Sequence, residues 1–261
     1  MIAALRSELV KLRRRRVLIV TAVTTLIFSI GSAAIVLASA SQTANPAERG
    51  LTFAELADAG GGTQVFTTAM SFAGTFLFVV FVGAVAVGFS RGTFRTMLLY
   101  EPRRTRLLAG KMAGLLLFAA IVLAAAEVIT WVAARLFAPS QDIATGEWFS
   151  AAALGDALTD YVSVLYWVTG YALLGMMLAV LVRSVPLALG IGIAWAGPIE
   201  HIIQDAWSTS ERIFPGLLLE EFVAGGTSEV SASKAFFTVT AYVLIATMIA
   251  ATSFARRDVT S

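Results

Sequence analysis

The chain has 261 residues, of which 58% are hydrophobic and only 14% charged. Its mean hydropathy is +0.82. A soluble domain carries about a quarter charged residues, so these values exclude an ordinary soluble protein. The net charge is a modest +2, and the lack of any cysteine excludes a disulfide framework, a thiolate zinc site and a cysteine nucleophile.

The apolar residues fall in blocks of about 20, the length a helix needs to cross a hydrocarbon core roughly 30 Å thick. Six such blocks predict an all-α polytopic membrane protein built as a single transmembrane domain over 1–261, with spans near 17–39, 65–89, 112–136, 158–182, 185–204 and 235–255. Richness in Ala, Val, Leu and Gly suits a GC-rich bacterium and hence a bacterial plasma membrane.

The chain opens with MIAALRSELVKLRRRR, in which Ile2, Leu5, Leu9 and Leu12 recur at helical spacing. Arg6, Lys11, Arg13 and Arg14 lie among or after them, a pattern that suits an interfacial anchor helix, apolar side in the headgroup layer and basic side toward anionic lipid. A competing reading as a signal peptide, cleaved at Ala38-Ser39-Ala40, would need an apolar core of about 7–15 residues, shorter than the run beginning at Val17. The loop 40–64, with Pro46 and Gly60-Gly61-Gly62, reads as a flexible connector with a helical piece through Phe53-Ala54-Glu55-Leu56.

Between the second and third spans lies a dense basic segment, 90–111, SRGTFRTMLLYEPRRTRLLAGK. Arg91, Arg95, Arg103, Arg104, Arg106 and Lys111 stand there against one acid, Glu101. Thr93 to Tyr100 predicts a short helix with Phe94, Met97 and Leu98 on one face, stopped by Pro102. A second run then leads into the third span. A plain connector needs no apolar face; a segment that docks into a partner's groove does.

Here the chain resembles the transmembrane permease subunits of ABC type-2 exporters. The resemblance rests on Gly92-Thr93, Arg95-Thr96-Met97-Leu98-Leu99, Pro102, the basic run 103–106, Leu107-Leu108 to Gly110-Lys111, and the early Glu8-Leu9 to Lys11-Leu12. It departs where such permeases often carry an acid just before the Gly-Thr, since this chain has Gly88 and Ser90. The resemblance implies that 90–101 is a coupling helix, with Arg91, Gly92, Thr93, Phe94, Arg95, Met97, Leu98 and Glu101 docking on a separate ATP-hydrolysing subunit. It also implies a second permease chain, the same or homologous, completing the translocation path.

The chain carries no P-loop. At its single Gly-Lys, Gly110-Lys111, Thr105 stands where the first Gly belongs and Met112 where the Ser/Thr belongs. No enzymatic activity is therefore expected here, and ATP and Mg²⁺ would be bound by the partner, with no cofactor or metal on this chain.

Glu127 lies within the third span, in AAAEVIT. An intramembrane carboxylate either serves a cavity or a partner, or is a protonated acid hydrogen-bonded to a neighbouring helix. Arg135 is two turns further on, too far for direct pairing. Only Val182-Arg183-Ser184 separates the fourth and fifth spans, and Gly197-Pro198 is expected to break the fifth before Glu200-His201. One Glu and the chain's one His make a poor metal site; a translocation or gating role, or satisfaction of backbone freed by the break, fits better. The loop 205–234 contains FPGLLLEEFVAGG, read as a short amphipathic helix at the outer membrane surface ended by Gly225-Gly226.

With the N-terminus cytoplasmic, 1–16, 90–111, 183–184 and 256–261 hold 15 of the 19 basic residues, leaving Arg49, Arg135, Arg212 and Lys234 outside. The positive-inside bias thus puts both termini in the cytoplasm. The resemblance to ABC type-2 permeases implies export of an amphipathic compound (peptide, antibiotic or lipid) as a dimer driven by a separate ATPase. A proton-coupled secondary transporter using Glu127, a membrane enzyme, and a toxin-immunity or sensor subunit of the same fold are the rivals. Partners are lipid, a permease chain and an ATPase, with no nucleic acid.

Overall fold

The computed structural model describes residues 2–41, 51–227 and 230–256. Pro46, Arg49 and residues 257–261, used above, lie outside them. The described chain is helical, with two isolated β-bridges and no strand. In order come α1 (Ile2–Leu12), α2 (Arg15–Ala38), α3 (Phe53–Ala57), α4 (Gly61–Ser90), α5 (Thr93–Tyr100), α6 (Arg104–Phe137), α7 (Ala151–Val182), α8 (Val185–Ala194), α9 (Glu200–Ala206), α10 (Pro215–Val223) and α11 (Ala232–Arg256).

Among the described residues, four helices are long and apolar enough to cross a membrane: Arg15–Ala38, Arg104–Gln141, Ala151–Val182 and Ala232–Arg256. A fifth is added if Phe76–Ser90 and Thr93–Tyr100, bent by 76°, count as one span. Their surfaces carry bare apolar side chains such as Val20, Ile27, Ile121, Val128, Phe237 and Leu244. In water so many exposed large apolar groups would drive association; in hydrocarbon they are at home, while the helix satisfies its own backbone.

The connections follow local chemistry. Thr52 caps α3 in a reciprocal capping box: its hydroxyl accepts from the Glu55 amide at 3.2 Å, and its own amide donates to Glu55 Oε2 at 2.8 Å. These hydrogen bonds from Thr52 hold the Glu55 carboxyl below its ordinary range. Gly61 and Gly62, expected in a flexible loop, instead open α4. The fifth expected span is also less broken than Gly197-Pro198 suggested: Trp195–Ile199 forms a π turn joining α8 to α9, with Pro198 inside it. The wider turn accommodates the hydrogen bond that proline cannot donate.

The chain divides into two compact units, one of 1–13, 73–119 and 166–261, the other of 14–72 and 120–165. In the first, α10 packs on α11. Leu217, Leu218 and Leu219 of α10 are fully buried and so is Glu221, so α10 is a packed element of that unit. Its end is a Schellman turn: Gly226 N donates to Glu221 O at 2.8 Å and Gly225 N to Phe222 O at 3.2 Å, with both glycines at positive φ, 84° and 92°.

The second unit is built around Ala33, Val36 and Leu37 of α2, Leu56, Val65, Ala133, Ala134 and Trp148. Trp148 Nε1 donates to Leu56 O at 2.8 Å, tying the α6–α7 connection to α3. Gly62 lies so close to the tryptophans that a Cβ there would come within 2.7 Å of Trp131 and 3.0 Å of Trp148. Gly155, by contrast, faces open space. Gly62→Val is expected to cost about 1–3 kcal/mol through overpacking, whereas Gly155→Ala should be neutral or stabilise by up to about 1 kcal/mol through the unfolded chain. Thermal unfolding of the two purified variants checks this, and the reverse order of melting temperatures would refute the packing described.

Candidate docking surface and intramembrane polar sites

α5 owes its position to two residues. Gly92, at φ 64°, makes the left-handed turn between α4 and α5, a conformation a side chain would strain. Phe94 then anchors the helix. It is 1% exposed and its ring lies 4.6 Å from Phe89 and 5.1 Å from Phe254, centroid to centroid. The ring rests directly on Gly88, where a Cβ would come within 2.6 Å of it. Lys111 Nζ lies 5.9 Å from the same ring.

The apolar face read as Phe94, Met97 and Leu98 is therefore turned inward. Phe94 is buried and Met97 and Leu98 are half-buried, which corrects Phe94 from a docking residue to the anchor of the helix. The outward face carries Arg95, Thr96, Leu99 and Tyr100, the last two 81% and 84% exposed. Arg91 and Gly92 are also exposed, while Thr93 and Glu101 are half-buried. Leu99 and Tyr100 are absent from the docking residues expected from the sequence. The signal was present in helical phase, since at 100° per residue they fall opposite Phe94.

The N-terminal helix adds to this surface. Ala3, Ala4 and Ser7 of α1 line a cavity of about 300 Å³ together with Met97, Tyr100, Glu101 and Leu107. α1 is fastened by Glu8, which is buried and accepts from Lys111 Nζ at 3.0 Å and Lys11 Nζ at 2.9 Å. A Cβ on Gly114 would come within 2.9 Å of Glu8 Cβ, so glycine lets the two helices close on each other. Burial tends to raise the Glu8 carboxyl, but the Lys111 charge and hydrogen bonds from both lysines outweigh it and hold it below its ordinary value. Of the expected anchor residues, Arg6, Arg13 and Arg14 are exposed and Lys11 is half-buried against Glu8.

Four segments meet at this end of the first unit. α1 reaches α6 through Glu8–Lys111. α5 reaches the end of α11 through Phe94–Phe254, and Arg183 of the α7–α8 turn stacks 5.4 Å over Phe89. These are the segments in which most of the chain's basic residues are concentrated.

The remaining polar candidates divide between the units. In the first, Glu200 is 2% exposed. Its Oε2 accepts from the Leu217 amide at 3.0 Å, with the Gly216 amide and the Trp195 side chain also hydrogen-bonded to it. The carboxylate thus caps the N-terminal turn of α10 from another helix, where an anion is favoured. A Cβ on Gly216 would overlap that carboxylate. His201 is about half exposed, its Nε2 3.5 Å from Glu220 Oε2.

Glu127 belongs to the second unit and faces a cavity of about 840 Å³ walled by Trp131, Trp148, Phe149 and Tyr161. Its Oε1 is covered and has no hydrogen-bond partner among the described residues. Asp160, which the sequence did not mark, is near enough for the two charges to interact, and Thr63 hydrogen-bonds it. Among the described residues, no group of three or more acidic or histidine side chains could hold a metal.

Helix content and apolar surface together define an all-α membrane protein. The chain belongs to the family of proteins of unknown function designated DUF2705, whose pattern matches residues 18–260. No curated protein sequence matches it.

The Glu8–Lys111 pair is the most exposed to test. Lys111→Ala leaves a buried carboxylate without its main partner and should cost about 3–5 kcal/mol, while Glu8→Met with Lys111→Met should recover most of that loss. Because the folded Glu8 carboxyl lies below its ordinary 4.5, its contribution is present above that value and is lost as pH falls through the lower folded value. Thermal unfolding on acidification from about pH 6 to about pH 3 should then cost the wild type more than the double Met variant; equal losses would show that the pair contributes nothing.

Proposed function

We propose that this chain is the membrane-spanning subunit of an ATP-driven ABC type-2 exporter, acting as a dimer and coupled through α5 to a separate ATPase. The observation that carries the reading is the short helix bent 76° from the preceding apolar helix, held from within by Phe94 and presenting Arg95, Leu99 and Tyr100 outward. A helix so pinned transmits force: a push on its outer face moves α4, α6 and α11 through the aromatic contacts and the Glu8–Lys111 pair.

The meeting of α1, the α4–α6 loop, the α7–α8 turn and the end of α11 supports one cytoplasmic face for all four, with both termini inside a bacterial plasma membrane. On this reading α2, α4, α6, α7, the α8–α9 helix and α11 are the six spans. The chain itself is not an enzyme; ATP and Mg²⁺ belong to the partner. The exported compound is amphipathic. A second reading, a proton-coupled secondary transporter, is favoured by one observation, the covered and unpartnered oxygen of Glu127.

Affinity purification in gentle detergent from membranes of the native host tests the docking. The tagged wild type should bring down a protein with a Walker A motif. Arg95→Glu with Leu99→Asp and Tyr100→Asp should abolish that recovery while leaving elution profile and melting temperature unchanged, since all three side chains point outward. Phe94→Asp should instead lower the melting temperature by several degrees, as large core losses of about 3–5 kcal/mol do. If the wild type recovers no ATPase, the exporter reading fails.

A further inference from the structure

The cavity beside Glu127 has the size and chemistry of a ligand site. Its volume of about 840 Å³ lies within the ~300–1,000 Å³ that small-molecule sites occupy. Its walls are set by the fold. Trp148 is fixed by its hydrogen bond to Leu56 O, Trp131 packs edge-on against Phe149 at 5.3 Å, and Tyr161 Oη donates to Ala120 O at 3.0 Å. An aromatic pocket with no polar group would suit any apolar body. This one also holds Glu127, whose Oε1 is out of contact with solvent and accepts no hydrogen bond from the described residues. A covered acceptor without a donor costs about 1–3 kcal/mol, and a bound donor or cation would relieve it.

The charges around the cavity have one sign at its polar end. Asp160 acts on Glu127, and Asp58, Asp156 and Asp160 line a smaller adjoining cavity of about 480 Å³. Arg135 sits 5.9 Å over Phe149, at the aromatic wall and two turns along α6 from Glu127. A metal ion does not fit, because no group of three ligating side chains exists among the described residues. An acyl chain would fill the aromatic walls but leave Glu127 unpartnered. Aromatic faces and a half-buried carboxylate with one covered oxygen together attract one class of molecule, a cation carried on an apolar body.

We infer that the second unit binds lipophilic organic cations in this cavity, the apolar body against Trp131, Trp148 and Phe149 and the positive charge at Glu127 and Asp160. The inference names the substrate class of the exporter proposed above and rests on that reading for its use in transport; binding itself needs only this chain.

Tetraphenylphosphonium and tetraphenylborate have the same shape and opposite charge, so their comparison isolates the effect of charge. Binding of each to the purified full chain in maltoside micelles is measured by titration calorimetry, with tryptophan fluorescence as a second readout. Tetraphenylphosphonium should bind at least about tenfold more tightly than tetraphenylborate. Glu127→Gln should remove most of that preference and Asp160→Asn part of it, whereas Phe149→Ala should weaken the cation without reversing the preference.

Equal affinity for the two ions, or a preference unchanged in both Glu127→Gln and Asp160→Asn at wild-type melting temperature, would overturn the assignment. Charge-selective binding by a chain that recovers no ATPase would sink the exporter and keep the site. Recovery of an ATPase without charge-selective binding would do the reverse.

Discussion

The contact on which the basic end of the first unit depends is the packing of Phe94 between Phe89 and Phe254. It joins three parts of the chain: the end of α4, the short α5 and the end of α11. A helix of eight residues has no independent stability in water, so α5 is held in place by what it buries. Gly88 allows the ring to approach and Gly92 allows the backbone to turn toward it. Once the ring is seated, the opposite face is turned away from the unit, and Arg95, Leu99 and Tyr100 are left outward. The basic charge and the exposed aromatic are thus consequences of one buried ring.

Composition alone carried much of the fold into view. Long apolar runs dictate helices in hydrocarbon, and their lengths survive in Arg15–Ala38 and Ala232–Arg256 within two or three residues of the expected bounds. α5 was equally legible, because Gly before it and Pro after it bracket eight helix-compatible residues. Its orientation was not. Amphipathic phase marks an apolar face but does not say what covers it, and the cover, Phe254, lies 160 residues away in sequence. The same limit applies to Lys111, read as one more charge of a basic loop. Only the fold brings it to Glu8, and in doing so changes it from a surface charge to half of a buried pair.

Glu200 and Glu127 show how far one sequence rule reaches. Both are acids in apolar helical stretches, and both are expected to be expensive there. Glu200 recovers that cost by accepting from the first amides of α10, which gives a helix end packed inside the unit the partner it requires. Its neighbour Gly216 leaves room for the carboxylate, so the pairing is built into the backbone and not left to side-chain adjustment. No pattern in the sequence linked residue 200 to residue 217, because the reversal between them depends on the turn Ser208–Arg212 and on Pro215 starting a new helix.

Glu127 has no such arrangement. Thr63 satisfies Asp160 and Leu56 satisfies the Trp148 indole, yet Glu127 Oε1 is covered without a donor among the described residues. The second unit could have solved this with one more hydroxyl on α7, where Ala157 and Leu158 line the same cavity. Instead it surrounds the acid with aromatic faces and a second carboxylate, which raises the local negative potential. For an ionised acid without a bound partner that arrangement is unfavourable on every count: desolvation, like-charge repulsion and an unmade hydrogen bond all act in the same direction. A cavity that keeps such a group available is organised around something that enters it carrying the opposite charge.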